Sequence, residues 1–110
     1  MQENVIHVRK WHQSQPPTEE EITRIMRDEG LAPSRWVQPS GAVFPEQEKE
    51  HAVVIFVVSG SITYGFPIEG APTELEAGDR LDLPAGVAHN AVVGPDGIVC
   101  LEARKIQEEK

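Results

Sequence analysis

Gly78-Asp79-Arg80-Leu81-Asp82-Leu83-Pro84-Ala85-Gly86-Val87-Ala88-His89 is the stretch whose reading decides the fold. It opens on a tight turn at Ala77-Gly78-Asp79, where glycine takes a positive φ that other residues avoid. Leu81 and Leu83 then alternate with charged residues, the period-two pattern of a short strand with one apolar face. Pro84-Ala85-Gly86 is a second rigid turn, with proline presetting one dihedral and glycine freeing another. Two turns specified this firmly fix the direction in which His89 points.

Working outward, short strands lie on both sides. Upstream, Ala52 to Val58 is nearly continuous apolar, β-branched sequence, which predicts a central strand buried on both faces. After Ser59-Gly60, Ile62, Tyr64 and Phe66 alternate with small polar residues, so the two runs are expected to pair as a hairpin across Ser59-Gly60. Pro67 to Pro72 is a loop, and Thr73-Glu74-Leu75-Glu76 a short strand. Downstream, Asn90 to Val93 and Ile98 to Ala103 are expected as two strands separated by a turn at Gly94-Pro95-Asp96-Gly97. Gln107 to Lys110 is expected to fray.

The first third of the chain is different. Val5 to Trp11 alternates as a strand suited to docking on a sheet edge or on a second subunit, with His7 and His12 as surface residues. Thr18-Glu19-Glu20-Glu21 is a capping-box signature, and Ile22, Ile25 and Met26 form one apolar stripe ending at Gly30. This predicts a helix over 18–29, with Leu31 packing back on it. Ser34 to Gln38 and Ala42 to Pro45 are further strands, and Glu46 to Glu50 a charged entry into the apolar run. Seven or more short strands with one early helix predict an all-β barrel or double sheet. Residues 1–33 are expected to pack on a barrel formed by 34–106, as a single domain.

Composition agrees and excludes some partners. At 110 residues the chain has room for one core, and six aromatic rings leave aliphatic side chains to fill it. Nine Gly and nine Pro suit a turn-rich β domain. A formal net charge of -8, with ten Lys and Arg that form no block, argues against nucleic acid or an anionic membrane surface as partner. Cys100 is the lone cysteine, which fits a reducing compartment. The first residues lack a basic, then apolar, leader, and no run approaches the ~20 apolar residues of a membrane span. A cytoplasmic protein is the expectation.

The spacing Gly78-x5-Pro84-x-Gly86-x2-His89 resembles the second motif of the cupin superfamily at all four of those positions. Val57-Val58-Ser59-Gly60-Ser61-Ile62 is similar to the end of the first motif, and the likeness spans about residues 45 to 103. The resemblance is to the small single-domain cupins of the cupin type-2 conserved-barrel family. It implies a jelly-roll β-barrel, commonly a homodimer, with a pocket at one mouth that in many members holds a divalent metal. The implied ligands are two His and a Glu of the first motif and the His of the second.

Of these, only the last carries over, as His89. The glutamate position is Val53, and the His-x-His pair falls on Gln47 and Lys49, or on Glu46 and Glu48. The second motif's usual closing Asn is Val93, and Asn90 follows the histidine instead. Side chains of Val53's parity, including Gln47, Lys49 and His51, share its face if the strand is regular. His51 and His89 could then supply two nitrogens, and Glu48 a third donor if a bulge turns it inward. Iron, manganese, nickel or zinc accept such a set.

Two functions follow. In the first, the barrel mouth binds a small polar or acidic molecule through Lys49, His51 and His89, with Gln47 and Tyr64 beside them, and needs no metal cofactor. In the second, the chain is a divalent-metal-dependent dioxygenase or isomerase with a rearranged ligand set. Gln47, Lys49 and Val53 favour the first, and whether the protein is an enzyme stays open between them. In the metal-free case His51 and His89 are expected to bond each other, water or the neighbours of Lys49. Trp36 is a candidate for the pocket mouth, and Cys100 is expected as a small buried hydrophobe.

Overall fold

The computed structural model describes residues 5–68 and 70–105. The chain runs β1 (His7–Arg9), α1 (Glu19–Asp28), β2 (Ser34–Gln38), β3 (Val43–Gln47), β4 (Val53–Phe66), β5 (Gly70–Glu76), β6 (Arg80–Leu83) and β7 (His89–Arg104). The expected fraying of 107–110 and the absence of a leader in the first residues fall outside the described residues.

Two long strands organise a jelly-roll β-barrel. β4 and β7 pair antiparallel in two blocks, Val53–Val57 against 104–100 and 62–65 against 93–90. Beside the first block lie β6 and then β1 on one side and β2 on the other; beside the second lie β5 and β3. Each long strand therefore crosses from one sheet to the other, and the barrel closes around them.

The crossing point corrects two sequence expectations. Ser59-Gly60 does not turn a hairpin, because Ser59 and Gly60 stay paired to Val99 and Ile98 within one continuous strand. Gly94 to Gly97 likewise remains inside β7, as a bulge beside Ser61. The two irregularities face each other. Gly60 has φ +83, and a Cβ there would overlap the Gly97 carbonyl oxygen, so the strands bend together where neither backbone carries a side chain. A turn signal in sequence is also a bulge signal when the partner strand bends with it.

These bulges reverse which residues face inward. Before the bend, odd-numbered Val53, Ile55 and Val57 line the barrel; after it, even-numbered Ile62, Tyr64 and Phe66 do. In β7 the order is Ala91 and Val93, then Ile98 and Cys100. The interior is completed by Leu75, Leu81, Leu83 and Val87, all at most 1% exposed.

A second apolar layer explains why Val53 to Val57 reads as continuous. Val54 and Phe56 point outward, where Ile22 and Met26 of α1 cover them together with Leu101 and Ala103. Each fully buried side chain of this kind contributes about 2 kcal/mol. The helix has the ends its sequence predicts. Thr18 Oγ1 accepts from the Glu21 amide at 3.1 Å, and Glu21 returns a bond to the Thr18 amide. At the other end the Leu31 amide donates to the Met26 carbonyl and that of Gly30 to Arg27, a Schellman closure with Gly30 at φ +82. Leu31 packs back on the helix cluster, as expected.

Charged groups fasten these pieces. Arg80, 4% exposed, donates to both Glu29 oxygens at 2.6 and 3.0 Å and to Asp82 at 2.7 Å, with its guanidinium 5.8 Å from the Phe56 ring centre. The N-terminal arm pairs with β6 of its own chain, His7 opposite Asp82. Beyond it, buried Asp79 accepts from Lys10 Nζ and from the amides of Trp11 and Glu76. The Trp11 ring lies where a Cβ on Gly78 would sit, and Gly78 has φ +89. Among the described residues no helix is long and apolar enough to cross a membrane.

Candidate functional site

The turn of Pro84-Ala85-Gly86 does two things at one mouth of the barrel. It delivers His89 to the start of β7, and its Gly86 amide donates to the Lys49 carbonyl at 2.9 Å. The same turn therefore pins the 48–52 connection beside the histidine. Gln47 is the cross-strand partner of His89.

His89 is 2% exposed, and its Nδ1 lies 2.9 Å from the Val87 carbonyl oxygen. A carbonyl only accepts, so Nδ1 carries a proton, and in the neutral ring Nε2 is then the nitrogen with the lone pair. Nε2 has no hydrogen-bond partner among the described residues, yet no buried side-chain polar atom is left unsatisfied there. The nitrogen must therefore reach the cavity that His89 lines. Tyr64, 5% exposed, is in the same position: its ring centre is 6.1 Å from that of His89, and its hydroxyl has no described partner. Burial, with Cys100 and Glu102 adding to it, pushes the phenol above its usual range, so it remains a protonated donor.

The cavity has a volume of about 780 Å³ and opens to solvent, within the size range of small-molecule sites. Trp36 and Phe44, with ring centres 5.3 Å apart, and Val53 form its apolar wall. Lys49, His51, Glu50 and Arg104 supply charge and polarity around it, with Gln47 at the edge. Gln47 and His51 are exposed at the rim, and Lys49 is half-buried.

Sequence reasoning thus named five residues that the structure brings to one cavity: Gln47, Lys49, His51, Tyr64 and His89. Glu48 does not join them. It is exposed and outside the lining, because residues 48–52 leave the strand pattern without turning that carboxylate inward. His51 and His89 do not bond each other; His89 takes the Val87 carbonyl instead. Cys100 is fully buried, and burial followed by the Glu102 charge pushes its thiol up to about 12. It packs as a small hydrophobe. His7 and His12 are exposed.

The residue missed is Glu102. It pairs with Ile55 and Ser34 across the sheet, two positions beyond inward-facing Cys100, and it lines the cavity. Its Oε2 lies 3.9 Å from Lys49 Nζ, both side chains being 31% exposed. The only available signal was the alternation of Ile98, Cys100 and Glu102, which becomes readable once the bulge before it is known.

The donor set does not fit the metal site that the sequence resemblance implies. Among the described residues no three His, Cys, Asp or Glu side chains gather closely enough to hold an ion. Val53 occupies the glutamate position as part of the apolar wall, and Lys49 brings positive charge toward His89's cavity.

No protein-family model matches the chain, and no curated protein sequence does. Solved structures do match. An RmlC-like cupin from Shewanella frigidimarina is 27% identical over 71% of this chain and 68% of that one, with a TM-score of 0.57. KdgF from Halomonas sp. is 26% identical, covering 70% of this chain and 71% of its own, also at 0.57. A DUF861 family protein from Thermotoga maritima covers 92% of this chain and 100% of its own at a TM-score of 0.65; at 14% identity it speaks for the fold alone.

Proposed function

Starting from a small member of the cupin superfamily, which this chain is, we propose that the barrel mouth binds a small polar or acidic molecule directly, with no resident metal. One observation carries this reading. His89 is buried and orientated by the Val87 carbonyl, yet its Nε2 has no partner among the described residues and opens on the cavity. A ring nitrogen that is held in orientation and opens on a cavity is placed to bond a ligand group there. The Tyr64 hydroxyl supports it as a second such atom. Lys49 and Arg104 supply positive charge for an anionic end, and Trp36, Phe44 and Val53 an apolar surface for the ligand's body.

A ligand-observed NMR screen of small carboxylic acids on the purified protein tests this. Saturable binding of at least one acid is expected, weakened about tenfold or more in His89→Ala and in Lys49→Met. Absence of saturable binding throughout the screen would overturn the reading. So would near-stoichiometric transition metal in protein purified without chelator or affinity tag, if His89→Ala removed it; the metal-dependent enzyme would then take its place.

A further inference from the structure

Glu102 has no evident structural task. It stands on the inner wall of β7, in line with Ile98 and Cys100, which are 2% and 0% exposed. Among the described residues no donor lies within hydrogen-bond distance of its carboxylate, and its ion pair there, to Lys49, is a loose 3.9 Å contact. A half-exposed pair at that separation contributes little to stability. By contrast, Glu29 and Asp82, the carboxylates that face Arg80, are held at 2.6 and 2.7 Å. Glu102 is therefore an acceptor turned into a cavity that His89 and Tyr64 also line.

Glu102 and, in its neutral form, His89 Nε2 are acceptors in this wall, while Lys49 and Arg104 bring positive charge to the same cavity. A ligand that satisfies both must present hydrogen-bond donors inward and an anion toward the cations. An ammonium on Glu102 would meet the like charge of Lys49 beside it, whereas a hydroxyl would not. Resting on the reading of the mouth as an acid-binding site, we propose that Glu102 selects a hydroxy acid, accepting a hydrogen bond from its hydroxyl while Lys49 takes its carboxylate. A plain carboxylic acid of the same size leaves Glu102 unsatisfied and faces its charge.

Three matched pairs of probes, malate with succinate, citrate with tricarballylate and gluconate with hexanoate, differ in whether they carry hydroxyl groups. Calorimetric titration of the wild-type protein is expected to favour the hydroxylated member of a binding pair by about tenfold, the usual scale of a hydrogen bond to a charged group. In Glu102→Gln the preference is expected to shrink below about threefold, chiefly because the plain acid binds more tightly once the like charge is gone. Glu102→Asp, which keeps the charge on a shorter arm, should retain part of the preference and guards against misreading a folding defect. Lys49→Met should weaken both members alike. Equal binding of the members by wild-type protein, or a preference unchanged in Glu102→Gln, would overturn the role of Glu102 and leave the acid site standing. If no member of any pair bound, the acid-site reading and this inference would fall together.

Discussion

The two ends of the barrel's polar chemistry are built by opposite rules. At the helix seam, Arg80 is buried and its donors are taken up by Glu29 and Asp82, while Asp79 nearby accepts three bonds. At the mouth, His89 Nε2, the Tyr64 hydroxyl and Glu102 lie without hydrogen-bond partners among the described residues. Burial raises the cost of an unpaired polar group at the seam, whereas the groups at the mouth open on the cavity. The seam offsets it with internal bonds and so fastens the helix and arm to the barrel. The mouth leaves its polar groups open to solvent or a ligand. Polar groups bonded within the protein hold this fold; those left open line the cavity on which the proposed function rests.

Substitutions should therefore separate the two regions by their effect on stability. The largest loss is expected for Arg80→Ala, about 3 kcal/mol in urea unfolding, because Asp82 and Glu29 are left crowded without their cation. A loss below about 1 kcal/mol would mean that the seam does not fasten the helix. Next comes Asp79→Asn, at about 2 kcal/mol, since its charge holds Lys10 and two backbone amides. Burial raises the Asp79 pKa, but the hydrogen bonds from Lys10, Glu76 and Trp11 outweigh it, and the carboxyl sits below its ordinary value. A depressed pKa gives stability that is present above the unfolded value, near 4, and lost as pH falls through the folded one. Denaturation measured between about pH 5 and pH 2 should fall less steeply in Asp79→Asn than in wild-type protein, and parallel curves would contradict that assignment.

Smaller effects sharpen the contrast. Thr18→Ala removes one capping bond at the helix start and should cost about 1 kcal/mol by the same measurement. Glu102→Gln, at the mouth, should change stability by no more than about 0.5 kcal/mol, as expected where only a loose, half-exposed ion pair is lost. A loss of 2 kcal/mol there would make Glu102 a fold residue and erase the distinction.

What could be read beforehand follows local rules. Gly78, Pro84 and Gly86 specify turns within a few residues, and Thr18, Glu21 and Gly30 specify helix ends, so the barrel and its helix were legible. His89 was legible for the same reason, being placed by the turn before it. Glu102 and the continuity of β4 and β7 were not. Ser59-Gly60 and Gly94-Pro95-Asp96-Gly97 carry the residues of chain reversals, and only their mutual approach makes them bends instead. Because each bend shifts the inward parity, a residue's face beyond it cannot be counted from the residues before it. The mouth was half legible: its histidine and lysine came from motif positions, its glutamate only from pairing.

The account rests on the state of one ring. Nitrogen-15 NMR of His89, compared with and without saturating citrate, tests it most directly. The account predicts an Nδ1-protonated ring with an unprotonated Nε2 whose resonance moves as citrate binds. A ring protonated on Nε2 in the free protein, or an Nε2 resonance unmoved by citrate shown to be bound, would contradict it.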